Sequence, residues 1–253
     1  MKLWLIRHGM TEGNREHRYV GTTDEGILPE EKERLQARAA ELDAHPTVVF
    51  VSPARRCRET VECLFPGLQA AQLCASGEGP EEKTSSAATA MRPSRQPKSV
   101  TENAGRSMTG ECAAPELIVV PEFMEMNFGV FEYMSWQEIN QDPDPTHRAA
   151  YQRYIDSDGE TAFPGGESKA EFTKRVCDGF ERAVLPRIQE HQDIVIVVHG
   201  GTIMALMERY AEPHKPYFEW SVKPGEGYRL DFMGSDPIKF EYATFSMEFF
   251  EKV

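Results

Sequence analysis

"DIVIVVHGGTIMALMERY", residues 193–210, decides the fold. After Asp193 come five β-branched residues in a row, which read as a strand covered on both faces. The segment 202–210 follows directly and carries a helical pattern. A strand that passes straight into a helix is a βα unit, and such units build parallel sheets. Working outward, "KLWLI" (2–6), "TVVFVS" (47–52) and "ELIVVP" (116–121) are short apolar runs of the same kind. All four predict buried strands. Helices are predicted between them at 29–45, where Pro and acids open the segment, and at 53–65, where Ser52 and Pro53 suggest an N-cap and first turn. A long pattern at 166–191 is expected to kink or divide at Pro186. "YRLDFM" (228–233) and "IKFEYATF" (238–245), split by "GSDP", predict a hairpin or sheet edge. The sum is an α/β protein: a three-layer sandwich with a mostly parallel central sheet.

The 253 residues are read as one domain, 1–253, interrupted by an insertion at 74–115. That stretch begins "CASGEGPEEKTSSAATAMRPSRQ" and is heavy in Ser, Thr, Gly, Pro and charge. It has too few large apolar residues to offset the entropy of ordering it, so it is expected to be flexible. The whole chain carries 28 Lys+Arg against 41 Asp+Glu, a net charge of −13. Such acidity argues against nucleic acid and anionic membranes as partners. No basic leader with an apolar stretch opens the sequence, and no run is long enough to span a bilayer. The five cysteines lack metal-type spacing. They are read as reduced thiols of a cytoplasmic protein.

In parallel sheets ligands bind beyond the strand ends. Three charged patterns sit there: Arg7-His8-Gly9, Ser52 to Arg56, and His199-Gly200-Gly201. Their convergence would place His8, Arg7, Arg56 and His199 in one cationic pocket on an acidic protein. The guanidinium fork suits phosphate oxygens. Gly9, Gly200 and Gly201 would let the backbone turn tightly and approach a ligand closely.

These residues resemble the histidine phosphatase superfamily, in its phosphoglycerate mutase-like branch. The family opening R-H-G-x-T-x-x-N corresponds to Arg7-His8-Gly9-Met10-Thr11-Glu12-Gly13-Asn14. S-P-L-x-R-A-x-x-T corresponds to residues 52–60, which makes Arg56, not Arg55, the phosphate-binding arginine. "FMEMNFGVFEY" corresponds to the pattern L-x-E-x-x-F-G-x-W-E-G and implies Glu125 as the acid–base carboxylate. "VVHGG" gives His199, while "PGGES" (164–168) and Arg175 also match family features. Ala54, Phe131 and Tyr133 stand where the family patterns have Leu, Trp and Gly.

The resemblance implies a phosphoglycerate mutase-like fold and phosphohistidine chemistry. His8 would be the nucleophile. Arg7, Arg56 and His199 would stabilise charge on the phosphoryl group, Asn14 and Gly200 would contact it, and Glu125 would exchange protons with the leaving group and water. No metal and no cofactor are expected, because the side chains supply the positive charge. A small phosphorylated metabolite is the expected substrate, with α-ribazole 5'-phosphate first among candidates, since "RYVGTTD" (18–24) resembles the phosphatases of that type. The alternatives are a phosphoglycerate mutase and a non-catalytic phospho-ligand binder. Arg15 and Arg18 are candidates for a second anionic group, which a mutase substrate would carry. "HRAAYQRYI" (147–155) reads equally as a cap over the pocket and as a solvated helix.

Overall fold

The computed structural model describes residues 2–66, 68, 115–188, 193–235 and 238–245. The expected insertion at 74–115 lies outside the described residues except for Pro115. The strands are β1 (Lys2–Arg7), β2 (Val48–Val51), β3 (Glu116–Val119), β4 (Asp193–Val198), β5 (Gly227–Ser235) and β6 (Ile238–Phe245). They form one sheet in the order β3-β2-β4-β1-β5-β6. β3, β2, β4 and β1 run parallel, and the β5–β6 hairpin adds antiparallel strands beside β1. The expected α/β sandwich with a mostly parallel sheet is therefore the observed one.

Strand alternation divides the core into two layers. Leu3, Leu5, Val48, Phe50, Ile194 and Ile196 face one side. There they meet Phe172, Val176 and Phe180 of α6 (Lys169–Ala183) and Ile203, Leu206 and Met207 of α7 (Gly200–Tyr210). Trp4, Ile6, Val49, Val51, Val195 and Val197 face the other side. They pack on Leu35 of α2 (Pro29–Arg38) and on Cys57, Val61 and Leu64 of α3 (Arg55–Leu64). Because β1, β2 and β4 are covered on both faces, their sequences are continuous apolar runs rather than alternating ones. β3 departs from that expectation: it holds an edge position and each of its residues is only half-buried.

Smaller helices complete the framework: α1 (Glu12–Arg15), α4 (Trp136–Gln141) and α5 (Pro145–Asp156). Helix ends correct the sequence reading in three places. α2 stops at Arg38 and continues only as a 3-10 turn over Ala39–Glu41. α6 begins one residue after Ser168, whose hydroxyl and Glu171 form a reciprocal cap, and it ends before a 3-10 turn containing Pro186. Ser52 does not cap α3. Ala54 occupies that position, and the Ser52 hydroxyl turns to the site described next. Among the described residues no helix is long and apolar enough to cross a membrane.

Candidate active site

β4 lies between β1 and β2, so the C-terminal ends of three adjacent parallel strands meet. The ladder runs one residue past each flanking strand: His8 N donates to Val198 O at 2.8 Å and Ser52 N to Val197 O at 3.1 Å. These bonds place the His8 ring edge-on to that of His199, with centroids 5.2 Å apart.

His8 is buried, and its Nδ1 lies 2.8 Å from the Gly9 carbonyl oxygen. A carbonyl only accepts, so neutral His8 carries its proton on Nδ1 and its lone pair on Nε2. Burial, with the charges of Arg56 and Arg7, holds the His8 pKa well below the usual imidazole range. Desolvation is the largest of these causes.

His199 is fixed on both ring nitrogens. Arg56 Nε donates to Nδ1 at 3.2 Å, so Nε2 bears the proton and donates to Ser52 Oγ at 2.7 Å. Burial and then the Arg56 charge keep this imidazole neutral as well. The Cys57 sulfur sits 3.7 Å from Nε2, and burial raises its thiol to about 12, which keeps it protonated.

Arg56 is completely buried, whereas Arg55 is exposed and pairs with Glu59. The arginine that the family register selects, Arg56, is thus the buried one of the pair. Its Nη atoms donate to the carbonyls of Val20, Gly21 and Thr23, so the side chain also ties the 20–23 loop to the site. Arg7 is less committed. Its Nη1 donates to Val222 O at 2.6 Å, while its Nε is buried with no hydrogen-bond partner. Asn14 Oδ1 is buried and unpartnered too. Arg7, Asn14, Glu125 and Gly200 line a cavity of about 310 Å³.

Glu125 accepts from Met126 N at 2.9 Å and from Gly201 N at 3.0 Å, the latter at the positive end of α7. Those donors and the charges of Arg56 and Arg7 favour the carboxylate, yet burial outweighs them and raises its pKa. Gly201 is what allows the approach, since a Cβ there would lie 2.3 Å from Glu125 Oε1. Arg175 secures the loop from behind. It donates to the carbonyls of Glu122 and Met124 at 2.8 and 3.0 Å and grips both oxygens of Glu167 at 2.8 Å.

Arg7 and Arg56 thus act electrostatically on His8, His199 and Glu125 alike; Arg7, Glu125, Asn14 and Gly200 line the cavity, whereas His8, Arg56 and His199 are not among its lining residues. Arg15 is not brought there. It is exposed and pairs with Glu12 and Glu30. Arg18 does line the cavity, but its guanidinium is compensated by Glu16 and Glu138, each at 2.6 Å. Helix α5 contributes Tyr154 and Ile155 to the cavity, so the capping reading of 147–155 fits its last turn. Ser52, Glu167 and Arg175 lie in motifs the sequence flags, but their contacts were not legible there; the aromatic turn Tyr217–Trp220 was missed altogether, although "PYFEW" (216–220) is a dense aromatic cluster outside any predicted element. Among the described residues no group of three or more His, Cys, Asp or Glu side chains is placed to hold a metal ion.

The sequence profile of the histidine phosphatase superfamily (branch 1) matches residues 3–73 and 106–239, and the chain belongs to that enzyme superfamily. A metal-independent phosphoserine phosphatase of Arabidopsis thaliana is 27% identical over 103 residues, which are 40% of this chain and 40% of that protein. The match thus spans well under half the length of that relative. A 2,3-bisphosphoglycerate-dependent phosphoglycerate mutase of Hamiltonella defensa subsp. Acyrthosiphon pisum is 25% identical over 212 residues, 82% of this chain and 76% of that one. The alpha-ribazole phosphatase of Shigella flexneri has the same fold at a TM-score of 0.67 and 21% identity, covering 95% of this chain and 94% of its own.

Proposed function

We propose that the protein is a metal-independent phosphomonoesterase that hydrolyses a small phosphorylated metabolite through phosphohistidine. The observation that carries this reading is His8: a neutral imidazole with its lone pair on Nε2, under the charges of Arg56 and Arg7, the same two arginines that act on the Glu125 carboxyl of raised pKa. In the first step Nε2 attacks phosphorus. The N–P bond forms, the P–O bond to the alcohol breaks, and the Glu125 carboxyl gives its proton to the departing oxygen. In the second step a water attacks phosphorus, Glu125 takes its proton, and the N–P bond breaks to release inorganic phosphate and restore His8. Arg7 meets the phosphoryl oxygens directly, with Asn14 and Gly200 on the same wall. Arg56 and His199 do not line the cavity; they act on His8 electrostatically, and their hydrogen bonds to each other, to Ser52 and to the 20–23 carbonyls hold the Arg56 charge in place before reaction begins.

Hydrolysis is favoured over mutase chemistry by the state of Arg15 and Arg18. A phosphoglycerate carries a carboxylate that needs an uncompensated cation. Arg15 is outside the cavity and Arg18 is already paired with two carboxylates. A purely binding role would require neither a nucleophilic tautomer nor a protonatable carboxyl. The test is phosphate release from a panel of monoesters in chelator, with α-ribazole 5'-phosphate, phosphoserine and 3-phosphoglycerate included. Expected is net phosphate release, together with an acid-labile, base-stable label on His8 after rapid quenching. Conversion of 3-phosphoglycerate to 2-phosphoglycerate primed by 2,3-bisphosphoglycerate, without phosphate release, would install the mutase instead.

A further inference from the structure

Beyond Arg7 and Glu125 the cavity changes character. One wall is a continuous aromatic cluster: Tyr19 lies 5.0 Å from Phe128, Phe128 lies 5.9 Å from Phe163, and Tyr154 stacks on Phe163 at 3.8 Å. All four rings line the cavity, and Met126 and Met204 line it too. At its mouth stand Ile155 and Phe218, which are 51% and 58% exposed. Only five large apolar side chains among the described residues are so exposed, and two of them line this cavity. Exposed apolar residues scattered singly need no explanation; a pair at the rim of an aromatic-walled cavity beside a phosphate-type site does.

We propose that this chamber is the subsite for the alcohol half of the substrate, and that it selects phosphomonoesters whose alcohol is an uncharged ring system. This rests on the phosphomonoesterase reading and adds the leaving group's chemistry. The phosphoryl group is oriented by Arg7 at the strand ends, so the ester oxygen faces Glu125 and the alcohol extends along the aromatic wall. A ring placed there gains apolar burial and ring-to-ring contact. A carboxylate placed there loses water and finds Arg18 already neutralised by Glu16 and Glu138. Phe218 and Ile155 are then specificity-determining residues at the entrance, and their exposure makes truncation safe for folding.

The comparison uses esters of primary alcohols, so that leaving-group chemistry is similar: benzyl phosphate, glycerol 3-phosphate and 3-phosphoglycerate. The expected order of kcat/KM is benzyl first by about tenfold or more, glycerol next, and the carboxylated ester last. Phe218→Ala, and Ile155→Ala more weakly, should shrink the benzyl-to-glycerol ratio by about tenfold. Trp136→Ala, at another exposed apolar residue that does not line the cavity, should leave the ratio unchanged. Calorimetric binding of benzylphosphonate against methylphosphonate reads the subsite without turnover, and the benzyl preference should vanish in Phe218→Ala. A wild-type preference for the carboxylated ester, or a ratio and a phosphonate preference indifferent to Phe218, overturns the subsite. Absence of phosphate release from every ester, with the phosphonate preference intact, overturns the phosphomonoesterase reading and leaves the subsite standing.

Discussion

Two cavities among the described residues differ in what lines them, and the larger is not the one beside the proposed chemistry. A groove of about 450 Å³ runs between α6 and α7, lined by Lys169, Lys174, Asp178, Glu181, Glu208 and Arg209. Its charges are exposed or already answered: Lys174 pairs with Asp178 at 2.5 Å, and Glu181 accepts from Tyr210 Oη at 2.8 Å. The cavity at the strand ends is smaller, about 310 Å³, yet it is lined by Glu125 and Arg7, whose pKa values burial shifts upward and downward, and Arg7 acts in turn on the buried His8. Volume measures room. Buried, imperfectly compensated charge measures readiness to act on a ligand, because low local dielectric amplifies each interaction there.

The sharpest way to break that contrast is to remove the nucleophile. His8→Ala should lower turnover by at least about 10⁴-fold and abolish the phosphohistidine label. Quench-flow with labelled substrate measures both. Turnover near the wild-type value would mean that the strand-end cavity is not the reactive one.

Glu125→Gln should cost about 10²- to 10⁴-fold on alkyl esters and far less on a nitrophenyl ester, whose leaving group needs little protonation. The same change should raise stability at neutral pH. The folded-state pKa of Glu125 is raised, so the folded protein holds that proton more tightly than the unfolded chain does. Its contribution is present at low pH and is lost as pH climbs from the ordinary carboxylate range through the raised value. Chemical denaturation at pH 7 with both variants checks the sign. A less active and less stable Gln variant would mean that the carboxylate is a structural anchor.

A smaller loss is expected at the clamp. Arg175→Lys keeps the charge but loses the fork that spans Glu167 and the carbonyls of Glu122 and Met124. Loosening the loop misplaces Glu125, which should cost about tenfold to a hundredfold in kcat with little change in KM. The loss should again be greater for alkyl than for nitrophenyl esters, a signature that general destabilisation does not produce.

How much of this was legible beforehand differs between strand and contact. The apolar runs at 2–6, 47–52 and 193–198 announced the buried strands because burial on both faces leaves no polar alternation to confuse the reading. Their charged terminations at His8 and His199 marked the candidate site. The 116–121 run misled about burial, because edge position is decided by topology rather than by composition. Ser52 misled in another way. Its sequence context fits a helix cap, and only tertiary structure turns its hydroxyl 147 residues along the chain to His199. Tyr133 holds the place of a family glycine with φ +61°, so the family pattern, and not the tyrosine itself, marks the left-handed region there. The aromatic chamber was invisible because Tyr19, Phe128, Tyr154 and Phe218 come from four separate segments.

The smallest expected effects lie in acid titration and in the larger groove, and together they test whether the two cavities differ in kind. His8 and His199 have folded-state pKa values far below 6.5, so each stays neutral while the unfolded chain takes up protons. Their contribution to stability is full above about pH 6.5 and drains away as pH falls below it. Wild-type stability should therefore drop from pH 7 to 5, and His199→Gln should flatten that slope. In the groove between α6 and α7, Lys174→Ala and Asp178→Ala break an exposed pair on one helix face. Such pairs contribute little in water, so melting temperature should barely move and kcat/KM should stay within about twofold. A groove variant that changed kcat/KM as much as Arg175→Lys would show that α6 transmits the groove's state to the Glu125 loop. The division between a reactive cavity and a merely roomy one would then have to be redrawn.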